Sequence, residues 1–177
     1  MVGATVVAAI VFVPMLIEAL RASANEQAQH ARGGVQPADD VAIYRLMQIA
    51  YPGAFLAMIA ECTLRGGASE PWFAAGTLCF AVAKTVKWWA ILTLGRFWTF
   101  RVIVVPGAHL VTGGPYRFIR HPNYVAVVGE LAGAAMMTAA AVSGPVAVVL
   151  FGILLKRRIS VEERALASAT RYPPCSL

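Results

Sequence analysis

The chain has 177 residues, enough for one domain. Its apolar fraction of 59% and charged fraction of 14% differ from the averages of soluble domains, about 45–50% and about 25%, and its mean hydropathy is +0.67. This composition excludes an ordinary soluble domain and indicates an integral membrane protein. The net charge of +6 does not indicate nucleic acid binding, because the basic residues lie beside apolar runs. The three cysteines form neither a disulfide framework nor a metal-ligand spacing, so no metal site is predicted.

Five apolar segments follow one another along the chain, and a helix needs about 20 apolar residues to cross a membrane. The last two are separated only by Ser143-Gly144, which predicts a helical hairpin whose second arm continues from Lys156 as a polar amphipathic helix. We therefore predict an all-α integral membrane fold, a single multi-pass domain over residues 1–177. The expected transmembrane helices are residues 2–20, 43–64, 72–94, 123–142 and 145–155.

The basic residues outside these spans lie almost entirely on one side. Five spans place the 21–42 loop, the 95–122 loop and the C-terminal tail together, and the opposite loops contain only Arg65. Because cytoplasmic loops are the ones enriched in lysine and arginine, we predict that the polar segments face the cytoplasm. The Ala-, Val- and Gly-rich composition is typical of a GC-rich bacterial genome, which makes the bacterial cytoplasmic membrane the expected location.

The 95–122 loop is predicted to be irregular. Two short β-prone pieces, residues 101–105 and 109–112, are broken by Pro106-Gly107. Irregular backbone at a membrane face is tolerated where it lines a cavity or is held by protein, and closely spaced glycines let a ligand approach the main chain. The loop is therefore a candidate binding segment, with an ordinary surface loop as the alternative.

The sequence RHPNY closes this loop. Pro122 disfavours helical geometry at His121 and suits the first turn of a helix, so the fourth span is expected to begin at Asn123. His121 and Tyr124 then lie at a helix N-terminus, where free N–H groups and the helix dipole favour anionic ligand groups. The alternative is that these side chains and the nearby arginines anchor the protein at the membrane interface.

Charged residues inside or just beyond the spans are further candidates. Glu130 lies about two turns into the fourth span and Lys87 about two turns into the third from the same side, so these two side chains can pair. Charges in a membrane are costly unless paired or lining a wet cavity, so such a pair is either functional or structural, and the role of Lys84 is open. Arg158 and Glu162 are i,i+4 neighbours, a pattern typical of a solvated juxtamembrane helix.

Two motifs together resemble a known family. HLVTGGPYRFIRHPNYVAVVGEL, followed about thirty residues later by RISVEERAL, is similar to the isoprenylcysteine carboxyl methyltransferase family of integral membrane enzymes. The resemblance extends over about residues 88–166, including WAILTLGRFWT before the loop, whereas the first two spans are similar only in being apolar. It implies the use of S-adenosylmethionine, methylation of a carboxylate on a lipidated substrate, and a cofactor pocket built from the cytoplasmic loop and the C-terminal helix.

The resemblance also assigns roles to residues of this chain. It implies a cofactor site formed by loop and helix residues with one residue of the tail: Ala108, His109, Leu110, Val111, Tyr116, His121, Pro122, Asn123, Tyr124 and Glu162. Arg158 would hold the substrate carboxylate, and Glu130 is a further candidate catalytic residue. The chain departs from the family at two points. Ala108 stands where the eukaryotic enzymes have a histidine, and no glutamine near Arg101 corresponds to one that helps bind their cofactor.

The chemistry of methyl transfer agrees with these residues. Displacement at a sulfonium requires alignment of the nucleophile, the methyl group and the leaving sulfur, and a carboxylate, already ionised at neutral pH, needs orientation rather than a base. An arginine supplies that orientation through paired N–H groups. We expect a lipophilic small molecule or a prenylcysteine substrate to enter sideways from among the membrane lipids, and the charged cofactor to enter from the cytoplasm.

Three alternatives stay open from the sequence. The same scaffold would methylate the hydroxyl of a phenolic lipid, a group with a pKa of about 10 that needs a base such as His109, His121 or Glu130. A membrane sterol-type reductase that uses NADPH shares the RHPNY resemblance. A non-enzymatic membrane scaffold would bind neither cofactor and would tolerate substitution of His121 or Glu162.

Overall fold

The computed structural model describes residues 4–108 and 110–171, except for the side chains of residues 169–171. Within these residues it contains five α-helices: α1 (Ala4–Ala31), α2 (Ala38–Leu64), α3 (Glu70–Leu94), α4 (Pro122–Thr138) and α5 (Ser143–Arg171). Two short 3₁₀ turns, Gly95–Phe97 and Gly114–Arg117, lie in the polar loop. No β-strand forms in the described residues, and the predicted all-α fold is confirmed.

Three segments of the described chain are long and apolar enough to cross a membrane: α1, α2 and Glu70–Phe97, which is α3 with its following turn. They overlap the first three predicted spans and agree with an integral membrane protein. The fourth and fifth predicted spans fall on α4 and the first part of α5, and their crossing of the membrane stays a prediction.

The connection between α4 and α5 comes slightly before the predicted break. Helix α4 ends at Thr138, where Ala139 adopts a left-handed conformation with φ of 50°, a common way for a helix to end. Glu61 of α2 accepts the backbone N–H of Val142 at 3.1 Å and that of Ser143 at 2.7 Å. These contacts satisfy donor groups that the start of a helix leaves unpaired, and α5 then continues unbroken from its apolar part into the polar tail.

Helices α3 and α4 pack most closely of all the helix pairs. Gly76 of α3 lies against the backbone of α4 at Met137, and Gly133 of α4 lies so close to α3 that an added Cβ would be 2.6 Å from the Phe80 nitrogen. Small residues at such contacts allow two helices to approach each other in a membrane. Large buried side chains continue the core on both sides: Phe55, Met58, Phe80, Leu131, Met137 and Phe151.

Side chains of α1 hold the loop that follows α3. Asn25 donates to two carbonyl oxygens of the loop at 3.1 and 2.7 Å, and Glu26 accepts two of its backbone N–H groups, both at 3.2 Å. The two β-prone pieces predicted in this loop form no strand in the described residues, where Val35 and Val104 make one isolated antiparallel bridge. In the first of these pieces, the backbone N–H groups of Arg101 and Val102 pair with the side chains of Glu26 and Asp40 instead of with a neighbouring strand.

Candidate active site

A cavity of about 480 Å³ lies among α1, α2, α4, α5, Lys87 of α3 and residues 99–101 of the loop after α3. Apolar side chains form much of its wall: Met15, Met47, Val127, Phe151 and Leu155. Twelve polar or charged side chains also line it: Glu18, Ser23, Glu26, Tyr44, Gln48, Tyr51, Lys87, Thr99, Arg101, Asn123, Tyr124 and Arg158. A cavity that combines an apolar wall with many polar groups suits a ligand that has an apolar chain and a polar head.

The N-terminus of α4 meets the middle of α5. Pro122 occupies the first turn of α4, and His121 precedes it with φ of −128° and ψ of 63°. The Tyr124 hydroxyl donates a hydrogen bond to Glu162 Oε2 at 2.6 Å, across 38 residues of sequence. The His121 ring stacks on the Tyr124 ring with 5.5 Å between centroids, and its Nδ1 lies 3.9 Å from the same carboxylate. The fold therefore joins these side chains into one cluster, here called the His121–Tyr124–Glu162 group.

Tyr116 and Asn123 border this group. Tyr116 lies on the 3₁₀ turn before α4, where burial and then the negative charge of Glu162 raise the pKa of its hydroxyl above the ordinary value. The hydroxyl therefore stays protonated at neutral pH and acts as a neutral hydrogen-bonding group. Asn123 lines the cavity and accepts a hydrogen bond from the Trp98 indole at 3.5 Å, which connects the start of α4 to the beginning of the loop.

The loop residues expected at the cofactor site are less closely joined to this group. The backbone N–H of Ala108 closes a turn on a preceding carbonyl at 3.1 Å, Leu110 is 58% exposed and Val111 is half-buried. His109 lies outside the described residues. Within the described part of the chain, no hydrogen bond or ion pair connects these loop residues to the group, so their role in cofactor binding stays a prediction.

Arg158 lines the cavity with its charge already paired. Its Nη1 donates to Asp40 Oδ1 at 2.8 Å, its Nε donates to the Tyr124 hydroxyl at 3.2 Å, and its Nη2 donates to the Phe100 carbonyl. The side chain is almost fully buried, so the interpretation of this part of α5 as a solvated juxtamembrane helix is wrong for Arg158. The guanidinium instead connects α5 to α2, to α4 and to the loop.

Four charged side chains, three of them buried, form a second polar cluster at the side of the cavity that Glu18 and Lys87 line. Lys84 Nζ lies 2.7 Å from Glu18 and 3.0 Å from Glu130, and Lys87 Nζ lies 2.7 Å and 3.2 Å from the same two carboxylates. The Tyr51 hydroxyl donates a hydrogen bond to Glu130. The proximity of Glu130 and Lys87 is confirmed, and two positive charges balance two negative ones, which offsets the cost of burial. These contacts favour a structural role for Glu130, and a catalytic role stays a prediction.

Asp40 and Glu18 are the residues of this region that the sequence analysis did not single out. Asp40 is fully buried, and its second carboxylate oxygen accepts the Val102 N–H at 2.9 Å. An acidic residue in the first turn of a helix is ordinary, so nothing in the sequence indicates a partner 118 residues away. Glu18 did carry a signal, because it is a charged residue within an apolar span, the same feature that drew attention to Glu130.

The sequence is similar to one protein family and to several known proteins. The sequence profile of the "Isoprenylcysteine carboxyl methyltransferase (ICMT) family" matches residues 75–168. Uncharacterized protein YpbQ of Bacillus subtilis is 31% identical over 159 residues, which are 89% of this chain and 93% of that protein. An uncharacterized protein of Haemophilus influenzae is 24% identical over 144 residues, 81% of this chain and 83% of the relative. Protein-S-isoprenylcysteine O-methyltransferase A of Arabidopsis thaliana is 30% identical over 118 residues, 62% and 58% of the two chains. No solved structure matches significantly.

Proposed function

The chain belongs to the isoprenylcysteine carboxyl methyltransferase family, and from that premise we propose that it uses S-adenosylmethionine to methylate an oxygen atom of a lipophilic acceptor. Family membership supports a membrane methyltransferase. The observation that carries the finer proposal is the His121–Tyr124–Glu162 group, which lies beside Arg158 at a cavity with an apolar wall. A cavity lined by both apolar and polar side chains supports an acceptor with a lipid chain and a polar head.

The residues around the start of α4 fit S-adenosylmethionine by their chemistry. The half-buried Glu162 carboxylate suits the positive charges and hydroxyl groups of the cofactor. In the first turn of α4 the Tyr124 and Val125 N–H groups are bonded to the His121 carbonyl, and we assign the Asn123 N–H, which makes no backbone hydrogen bond to the described residues, to the carboxylate of the cofactor. The stacked rings of His121 and Tyr124 offer planar surfaces to an adenine. We assign cofactor binding to these residues with Tyr116, Pro122, Asn123 and the loop residues named by the family resemblance.

S-adenosylmethionine, when bound, supplies a methyl group on a positively charged sulfur. The protein has to hold the acceptor oxygen in line with that methyl group and keep water away from it. Arg158 lines the cavity through which a lipid would reach the site, and two of its N–H groups are enough to orient a carboxylate. We therefore propose a carboxylate of a lipidic or prenylated acceptor, entering from the bilayer, at a site that faces the cytoplasm of a bacterial cell.

A phenolic hydroxyl is the second candidate acceptor, and a specific contact favours it. Arg158 already has a carboxylate partner in Asp40, 2.8 Å from Nη1, so its positive charge is partly neutralised before any acceptor arrives. A neutral phenol is not affected by that neutralisation, whereas an anionic acceptor is attracted less strongly. The phenol would need a base for its proton, and we assign that role to His121, which stacks on the Tyr124 ring whose hydroxyl contacts Arg158.

The proposal is tested by equilibrium binding of S-adenosylhomocysteine and, separately, NADPH to the detergent-purified protein. We expect S-adenosylhomocysteine to bind. Glu162→Gln should weaken its binding by about tenfold or more, since one hydrogen bond to a charged group contributes about 1.5–3 kcal/mol, and His121→Ala should weaken it by about twofold to about tenfold, since a stacked ring contributes about 0.5–1.5 kcal/mol. Glu70→Gln is the matched control, because it removes the same charge from an exposed residue at the first turn of α3.

Each outcome of this experiment selects one function. Binding of NADPH alone would assign the chain to reductase chemistry. If folded protein binds neither ligand, the chain would be assigned as a non-enzymatic membrane scaffold. If S-adenosylhomocysteine binds, transfer of labelled methyl groups to acceptors then separates the two acceptor classes: the rate stays constant from about pH 6 to about pH 9 for a carboxylate and rises over that range for a phenol.

A further inference from the structure

Asp40 is a buried residue of α2 that forms an ion pair with Arg158. Its Oδ1 accepts from Arg158 Nη1 at 2.8 Å, and its Oδ2 accepts from the Val102 N–H at 2.9 Å and from Gln36 Nε2 at 2.8 Å. Asp40 has no exposed surface, and it does not line the cavity that Arg158 lines. Three of the five N–H donors that an arginine carries are used by described partners, so two make no hydrogen bond to the described residues.

Every basic residue among the described residues that line the cavity is paired with an acidic residue, as Arg158 is with Asp40. Lys87 lies 2.7 Å from Glu18, Arg101 lies 3.4 Å from Glu26, and Arg158 lies 2.8 Å from Asp40. Each of the three basic side chains that line the cavity therefore has an acidic partner. The described residues around the cavity offer hydrogen-bond donors to a ligand, but the positive charges are balanced by negative ones. Among these three pairs, only the one made by Arg158 also contacts the His121–Tyr124–Glu162 group, through the Tyr124 hydroxyl.

We propose that Asp40 determines which acceptors the site selects, by setting how much positive charge Arg158 presents to the cavity. This inference rests on the proposed function, in which Arg158 meets the polar head of the acceptor. An acceptor carboxylate and the Asp40 carboxylate would lie on two sides of one guanidinium, about 7 Å apart, where two negative charges at an effective dielectric constant of about 20 repel enough to change affinity by about tenfold or more. Asp40 therefore lowers the affinity for anionic acceptors and leaves the affinity for neutral ones unchanged.

The test compares S-farnesyl-N-acetylcysteine with its carboxamide, two ligands of nearly the same shape, one negatively charged and one neutral. Their equilibrium binding is measured on the full-length protein in detergent, for the wild type, two variants that remove the charge (Asp40→Asn and Asp40→Ser) and one that keeps it (Asp40→Glu). Asp39→Asn is the matched control, since it removes the same charge one residue earlier, where Asp39 is exposed and pairs with Arg164 at 3.4 Å. Thermal unfolding shows which variants are folded.

We expect the charge-removing variants to bind the acid about tenfold more tightly relative to the carboxamide than the wild type does. Asp40→Glu and Asp39→Asn should keep the wild-type ratio. Equal changes in the affinity for both ligands would show that Asp40 only supports the local structure, and would overturn the proposal. Failure of both charge-removing variants to fold, while Asp40→Glu folds, would overturn it in the same way.

Failure of this inference is distinguishable from failure of the proposed function. If the wild type neither binds S-adenosylhomocysteine nor transfers a methyl group, the proposed function is wrong. If the wild type does both and the ratio of acid to carboxamide affinity does not depend on the charge of residue 40, the proposed function stands and the role of Asp40 is refuted.

Discussion

The buried cluster of Glu18, Lys84, Lys87 and Glu130 predicts a measurable loss of stability when its charge balance is broken. Glu130→Gln keeps the shape of the side chain and an oxygen that can accept the Tyr51 hydroxyl, but it removes the carboxylate that lies 3.0 and 3.2 Å from the two lysines. Two lysines then share the single negative charge of Glu18. Removing one partner of a buried ion pair costs about 3–5 kcal/mol.

We expect the lower end of that range, about 3 kcal/mol, because Glu18 still contacts both lysines and Lys84 is 12% exposed. For a chain of this size such a loss lowers the midpoint of thermal unfolding by about 6–12 °C. The assay is thermal unfolding of the detergent-purified protein, followed by loss of helical signal. Glu70→Gln, at an exposed position, is the control and should change stability by less than about 0.5 kcal/mol.

A second substitution tests the reason for the loss. Adding Lys87→Met to Glu130→Gln leaves one positive and one negative charge in the cluster, so we expect the double variant to be more stable than the sum of the single effects by about 1 kcal/mol or more. The reasoning is refuted if Glu130→Gln unfolds at the wild-type temperature. It is also refuted if the effects of the two substitutions simply add.

Three further predictions follow from other contacts. Gly133→Leu should destabilise the protein by about 3 kcal/mol or prevent folding, because the side chain would enter the backbone of α3, whereas Gly152→Leu, with open space around it, should unfold near the wild-type temperature. Glu61→Gln should speed hydrogen exchange of the Ser143 amide, because the carboxylate that accepts it at 2.7 Å becomes a weaker acceptor; an unchanged exchange rate would show that the start of α5 does not depend on it. Burial and a neighbouring carboxylate raise the pKa of Tyr116 above its ordinary value, so its hydroxyl stays protonated below that value. The ratio of wild-type to Tyr116→Phe affinity for S-adenosylhomocysteine should therefore stay constant from about pH 7 to about pH 9.5, and a ratio that follows an ionisation in this range would contradict the assignment.

The helical hairpin illustrates how far local sequence rules reach. The small residues Ser143 and Gly144 indicate a break, and the structure places a connection just before them. Its position depends on Glu61, a residue of α2 that accepts the first N–H groups of α5. A sequence pattern shows where a helix is able to end, but the partners that satisfy its terminal N–H groups come from elsewhere in the chain.

The sequence by itself determined the membrane character, the all-α fold and the family, because these depend on composition, on the length of apolar runs and on the local motif around His121 and Pro122. Only the tertiary structure decided that Arg158 is buried against Asp40 and that Glu18 and Lys84 complete the cluster of Glu130. The physical reason is that a charge in an apolar run shows in the sequence only as a need for a partner. Which residue meets that need depends on how the helices pack, and the partners named here are 46 to 118 residues away.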